Sequence, residues 1–270
     1  MPDSILEKIK RFSDDQYGNE NRFNARIRIY DFCEKKVYWP EFAFSNLDFN
    51  NVLQILELGC GNGQLWINNI NRVPENVNIV LSDISEGMVD SVKKELGEDN
   101  RFDFEVTDAC KTPFESSKFQ MIIANHMLYH IENKEQVFSE IGRLLTDDGH
   151  AYASTLSTVN FQELFRIADE FDKNLMFDRN QTIQSFNLEN GRDILSGYFD
   201  VMNSYVFQND VVVKDTEPLI LYLASCYLPE QLGILVEKIN NFRSYLESFI
   251  EKNGEIRITN KVVLFKFRKK

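Results

Sequence analysis

Between about residues 46 and 156 the chain alternates between two hydrophobic periods. The runs "VLQILEL", "VNIVLSD", "FDFEVTD", "FQMIIAN" and "HAYASTLS" are short and apolar or alternating, the pattern of strands. Between them "EGMVDSVKKEL" and "KEQVFSEIGRLL" repeat apolar residues every three to four positions, the pattern of helices with one buried face. A further helix is predicted to start after Gly63, and Gly97 and Gly149 stand just past helical patterns, where left-handed cap residues are wanted. A strand-helix-strand series of this kind predicts an α/β fold: a mostly parallel sheet with helices on both faces.

The flanks read differently. Residues 1–20 are polar, and in "NRFNARIRIYDFCEKKV" Phe23, Ile27, Tyr30, Cys33 and Val37 recur at helical spacing, so an amphipathic helix precedes the first strand. Beyond residue 155, "NFQELFRIADEF" predicts a helix, "DVMNSYVFQNDVVVK" a strand region, and "TEPLILYLASCYL" a helix with Thr216 as N-cap and Pro218 in its first turn. One long helix should follow, striped by Leu232, Leu235, Ile239, Phe242, Leu246, Phe249 and Ile250 and ended by Gly254. "EIRITNKVVLFKF" predicts a strand pair around Asn260. The expected organisation is an N-terminal helical segment or lid at 1–45 and an α/β domain at 46–270, with inserted cap elements at about 156–255.

Composition narrows the partners. The 270 residues carry a formal net charge of −12, which opposes broad attraction to nucleic-acid backbones or anionic membranes. A small-molecule substrate is expected instead, with no nucleic acid and no membrane as partner, and a monomer or homodimer as the assembly. Four cysteines lie far apart without a CxxC pair, so neither a zinc site nor a disulfide framework is written in their spacing, and a reducing cytoplasm fits. The N-terminal stretch lacks the apolar core of a secretory signal, and eighteen apolar residues never run together.

The candidate chemistry begins at "ELGCGNG". Glycines at 59, 61 and 63 end a buried strand in a bare loop, which lets a ligand approach the backbone where no Cβ holds it off. The spacing departs from the dinucleotide fingerprint, since position 64 is Gln, and no Gly-Lys-Ser/Thr follows to cradle a phosphate. An acid, an apolar residue and G-x-G-x-G resembles the first motif of the class I S-adenosylmethionine-dependent methyltransferases. "NARIRIY" before it and "LSDISEGMV" after it are similar to a small-molecule branch of that superfamily. The resemblance implies a Rossmann-like, doubly wound seven-stranded sheet with the last strand antiparallel, and S-adenosyl-L-methionine as cofactor, leaving as S-adenosyl-L-homocysteine.

Carried over residue by residue, the resemblance implies a cofactor site made of Gly59, Cys60, Gly61 and Gly63 with four further groups. Glu57 would face the amino end of the methionine moiety, Asp83 would accept both ribose hydroxyls, Ile84 would pack on the adenine face, and Asp108 with Ala109 would meet the adenine edge. Met88, which also reads as core beside Val89 and Val92, would lie under the adenine, and Asn125 ends the fourth strand beside them. That strand leads into "NHMLYHI", where His126, Tyr129 and His130 are the catalytic candidates. His126 and His130 are four apart, so one helical turn would present both to one cavity. Either could take a proton from the methyl acceptor or simply line the cavity; without a carboxylate or cysteine at ligand spacing they predict no metal.

Arg26, isolated on its helix, reads first as a solvated arginine, with the cofactor carboxylate or an acidic substrate as the alternative partner, and Tyr17 and Phe23 would close a lid over the sulfonium. The predicted function is methyl transfer to an O or N nucleophile of a small molecule. The alternatives are an RNA or protein methyltransferase, for which Arg22, Arg26 and Arg28 form a basic patch, and a non-catalytic protein that keeps only the pocket.

Overall fold

A computed structural model describes residues 4–13, 20–177 and 183–270. They form two compact units. One comprises 37–158, 180–207 and 262–270, the other 1–36, 159–179 and 208–261.

The strands are β1 Gln54–Leu58, β2 Asn78–Asp83, β3 Phe102–Val106, β4 Phe119–Ala124, β5 Leu145–Leu156, β6 Asp200–Gln208, β7 Val211–Val213, β8 Ile256–Ile258 and β9 Lys261–Arg268. Seven of them make one sheet in the order β3-β2-β1-β4-β5-β9-β6. β1 to β5 are parallel where they pair, and β9 runs antiparallel to β5. The Rossmann-like doubly wound sheet with an antiparallel late strand is thus present.

A central strand covered on both faces should bury side chains on both sides, and β1 does: Ile55, Leu56 and Leu58 are fully buried and Glu57 between them is 1% exposed. Successive residues serve opposite cores. Ile55 joins Ile79, Leu81, Met121, Val92 and Trp66 on one face, while Leu56 and Leu58 join Ile122, Phe138 and Ile141 on the other. The Glu86–Leu96 helix supplies Val92 and the Lys134–Leu144 helix supplies Phe138 and Ile141, which is why both patterns were legible as amphipathic. The glycines after them behave otherwise than predicted. Gly97 caps its helix in a right-handed conformation with φ −68°, and Gly149 lies inside β5.

In the other unit, the Thr216–Cys226 helix is buried almost all round, with Leu219, Ile220, Leu223 and Ala224 at zero exposure, so it forms the centre on which the remaining helices pack. Its N-cap is Asp215, whose carboxylate accepts from the Glu217 N–H, and not Thr216. Its C-terminal carbonyls are met by arginines: Arg26 Nη2 donates to Ser225 O at 2.7 Å and Arg22 Nη1 to Tyr227 O at 3.4 Å. Cations at a helix C-terminus satisfy orphan carbonyls and the helix dipole together. Two members of the predicted basic patch are therefore structural.

Three further predictions are corrected here. The N-terminal amphipathic helix ends at Arg28 and tightens into a 3₁₀ turn, Ile29–Phe32, before Cys33 bridges to Val211. The long helix divides at Lys238 into Pro229–Glu237 and Ile239–Asn253, although Gly254 does end it in a left-handed conformation with φ 80°. The strands flanking Asn260 do not pair with each other; β8 pairs with β7, while β9 enters the large sheet. The Trp39–Ser45 helix groups with the sheet unit, whose first residue is 37. Tyr17 and the side chain of Phe23 lie outside the described residues.

Candidate active site

The carboxyl ends of β1, β2 and β3 bring the predicted acids and glycines together. β1 and β2 pair Leu58 with Ser82, and β2 and β3 pair Asp83 with Val106, so the residues that follow each strand stand side by side. The loop after β1 turns on three left-handed glycines, Gly59, Gly61 and Gly63, with φ of 66°, 55° and 77°. Their reasons differ. A Cβ on Gly59 would meet the Met127 side chain at 2.9 Å and one on Gly63 would meet Val92 at 2.2 Å, whereas one on Gly61 would meet nothing within 4 Å. Two glycines permit close packing; the third leaves a bare, open approach to the backbone.

The amides of this loop are largely committed. Cys60 N–H donates to Ser82 O, Gly61 N–H to Asp83 Oδ2 at 3.0 Å and Gly63 N–H to Cys60 O. Asp83 Oδ1 accepts from Ser85 N–H at 2.9 Å, so this carboxylate ties the first loop to the second. The helix predicted after Gly63 is a single turn, Gln64–Ile67. A long helix dipole aimed at a ligand is absent, and what the loop offers is shape.

Glu57 is 1% exposed, and the fully buried Trp66 indole donates to its Oε2 at 2.6 Å. Burial pushes the Glu57 carboxyl up to about 8, with Trp66 opposing and the Asp83 charge assisting. Cys60 is buried, and burial with Glu57 and Asp83 nearby pushes its thiol far up, so it is an inert lining group. Beyond the loop, Ile84 is 73% and Val106 47% exposed, two apolar side chains at adjoining strand ends with little covering them. Met88 is half-buried on the helix whose Val89 and Val92 are core. Asp108 is exposed, with Oδ1 accepting from Cys110 N–H at 2.8 Å, and Ala109 beside it is buried.

The raised Glu57 pKa has a stability consequence. The unfolded chain ionises near 4.5 while the folded chain keeps its proton to about 8, so this group's contribution is full below pH 4.5 and is lost as pH rises towards 8. Urea midpoints of wild type and Glu57→Gln, compared from pH 5 to pH 8, should show the wild type losing stability relative to the variant. Parallel curves would mean that Glu57 is ionised in the fold.

After β4 the predicted helical turn does not form. His126 has φ 55°, a left-handed conformation in a residue with a side chain, and the 3₁₀ turn that follows covers Leu128–His130. The two histidines therefore do not share a helix face. The His126 ring lies edge-on to Trp39 at 5.1 Å, while His130 is exposed and tilted against Tyr129 at 4.5 Å. Asn125 Oδ1 accepts from Trp39 Nε1 at 3.0 Å and from Ser154 Oγ at 2.6 Å. Trp39 and Ser154 were invisible to motif reading, because they contact Asn125 from 86 and 29 residues away. Among the described residues no group of three or more His, Cys, Asp or Glu could hold a metal, and no described helix is long and apolar enough to cross a membrane.

The methyltransferase-domain family matches residues 55–149, the stretch that carries β1 to β4 and these strand ends. Over this stretch the chain is similar to the class I S-adenosylmethionine-dependent methyltransferases. The chain is 28% identical over 155 residues to malonyl-[acyl-carrier protein] O-methyltransferase 2 of Ilyobacter polytropus, covering 57% of this chain and 58% of that one. It is 25% identical to the ubiquinone/menaquinone biosynthesis C-methyltransferase UbiE of Desulfotalea psychrophila, covering 49% and 55% of the two chains. It thus spans about half the length of these curated relatives. Among solved structures, a methyltransferase of Bacillus halodurans matches with TM-score 0.56 at 14% identity, covering 84% of this chain and 96% of that one. A phosphoethanolamine N-methyltransferase of Haemonchus contortus, solved with S-adenosylhomocysteine, matches with TM-score 0.54 at 17% identity, covering 99% of this chain and 60% of the other. Both likenesses concern the fold.

Proposed function

We propose that this methyltransferase transfers the methyl group of S-adenosylmethionine to an oxygen or nitrogen of a small-molecule acceptor. The observation that carries the reading is the row of strand ends: a bare Gly61, the carboxylates of Asp83 and Asp108, and the exposed apolar faces of Ile84 and Val106 between them. A nucleoside offers the matching set, with ribose hydroxyls for Asp83, an exocyclic amine for Asp108 and a flat apolar ring for Ile84. Glu57, Gly59, Cys60, Gly63, Met88 and Ala109 complete the proposed cofactor site, while Asn125, bonded to Trp39 and Ser154, is set apart from it.

When bound, the sulfonium supplies an electrophilic methyl carbon. The protein's part is to hold the acceptor in line, exclude water and remove a proton where the nucleophile carries one. His126, with Tyr129 and His130 after it, belongs to this task. A lid role for 1–45 and a cap role for elements within about 156–255, both bearing on the choice of acceptor, are part of this proposal. An RNA acceptor is disfavoured by the net charge of −12 and by Arg22 and Arg26, which donate to helix carbonyls.

Titration calorimetry tests the cofactor site. S-adenosylhomocysteine should bind and NAD should not. Asp83→Ala should weaken binding by about 1.5–3 kcal/mol, roughly 10- to 150-fold, the size of a hydrogen bond to a charged group. Binding of NAD alone would overturn the reading, and unchanged affinity in a folded Asp83→Ala protein would remove Asp83 from the site.

A further inference from the structure

Asn125 is fixed as a hydrogen-bond donor, and the fixing can be followed atom by atom. The Trp39 indole N–H can only donate, so the Asn125 atom 3.0 Å from it is the carboxamide oxygen. Ser154 Oγ, fully buried, already accepts the His126 backbone N–H at 2.9 Å and sends its own hydrogen to the same Asn125 oxygen at 2.6 Å. Two donors on Oδ1 forbid the flipped amide, because a flip would set N–H against N–H. The other side of the carboxamide is therefore NH₂, and among the described residues nothing accepts from it.

This donor stands after β4, whose Ala124 pairs with Leu58 directly before the glycine loop. Its neighbourhood is unlike the row of acids at β1 to β3. Trp39 packs against His126, Phe42 and Phe207, with ring centroids 5.1 to 5.9 Å away, and these aromatics adjoin the buried cluster of Leu156, Ile183 and Val262. The donor-bearing groups of an adenosyl cofactor are matched by Glu57, Asp83 and Asp108. A half-buried amide with its NH₂ left to donate, beside an aromatic wall, suits a different molecule: one with a carbon body and an acceptor oxygen.

Resting on the proposed methyl-transfer reading, we infer that Asn125 recognises a carbonyl or carboxylate oxygen of the methyl acceptor, with Trp39 and Ser154 as the positioning residues that fix its orientation. The acceptor class is then an apolar-bodied oxo compound or acid, as opposed to an amine. The His126 backbone, held left-handed and bonded to Ser154, sets its ring in the same network, so recognition of the acceptor and placement of the proton-accepting candidate are mechanically linked.

The test uses the full chain saturated with S-adenosylhomocysteine, and octanoate and octylamine as probes of equal chain length. Wild type should bind octanoate at least tenfold more tightly than octylamine. Asn125→Asp keeps the oxygen that Trp39 and Ser154 hold but replaces the presented NH₂ by an acceptor oxygen, and should reverse that preference while changing S-adenosylhomocysteine affinity less than threefold. Trp39→Phe removes one of the two locks, so it should shrink the preference without reversing it, at unchanged cofactor affinity, a change in selectivity that a purely structural tryptophan would not produce.

Three results would overturn the inference: equal binding of the probes or no octanoate binding by wild type, an Asn125→Asp protein with unaltered preference, or a loss of S-adenosylhomocysteine affinity matching the loss for octanoate. Wild type that fails to bind S-adenosylhomocysteine at all would instead sink the methyl-transfer reading, and this inference with it.

Discussion

Replacing His126 by glutamine should lower methyl transfer by roughly 10²–10⁴-fold, the range for losing a positioned general base, and should abolish the acidic limb of the pH–rate profile. The residue is singled out over His130 by its surroundings. Its ring is held against Trp39, its amide is bonded to Ser154, and its backbone is kept in a conformation that costs a side-chain-bearing residue about 1–2 kcal/mol. Strain of that kind persists where surrounding contacts over-determine it, and it concentrates at functional sites. His130 is exposed on a 3₁₀ turn, and His130→Gln should cost far less. Rates and pH profiles for both variants with one acceptor decide the matter. If His126→Gln keeps the acidic limb and most of the rate, the histidine only lines the site and catalysis rests on proximity.

Gly63→Ala should destabilise the sheet unit by about 3 kcal/mol, combining left-handed strain with overpacking. The added Cβ would fall 2.2 Å from Val92 Cγ2, and Val92 is fully buried. Val92→Ala removes that atom, so the double variant should be more stable than the sum of the two single changes allows, by about 1–3 kcal/mol in a double-mutant cycle. Gly61→Ala provides the contrast. No atom lies within 4 Å of its built Cβ, so it should cost only backbone strain while obstructing the approach of a ligand. Urea unfolding of the four proteins measures both points, and strict additivity between positions 63 and 92 would refute the packing account.

These glycines also show why the sheet and the cofactor loop were legible in the sequence. Ile55, Leu56 and Leu58 had to be apolar together for a strand buried on both faces, and a loop that comes within reach of Val92 and Met127 had to be glycine. Periodicity likewise marked Glu86–Leu96 and Lys134–Leu144, because each packs one face on one core. Long-range pairing is what escaped. Nothing local distinguishes a strand that turns back on its neighbour from one that leaves it, so β8 and β9 were joined around Asn260 although they belong to different sheets. Lys238 interrupts a stripe that stays apolar across the break, from Leu235 to Ile239, so hydrophobic pattern alone predicted one helix. At the site, the left-handed turn at His126 has no glycine to announce it, and the Trp39–Asn125–Ser154 lock joins three segments by side chains common in any fold.

The place of β9 has a bearing on how the chain is made. It is the last strand in sequence, yet it lies between β5 and β6, so a nascent chain holding every earlier strand still lacks the one that joins them. β1 to β5 can assemble while synthesis continues, since their pairings are comparatively local. Until residues 261–268 emerge, β5 keeps an open edge and Phe265 and Phe267, both buried in the finished sheet, have not yet covered their side of the core. Non-local strand insertion of this kind is slow and leaves a sticky edge meanwhile. The burden on chaperones should therefore be greatest before residues 261–268 join the sheet.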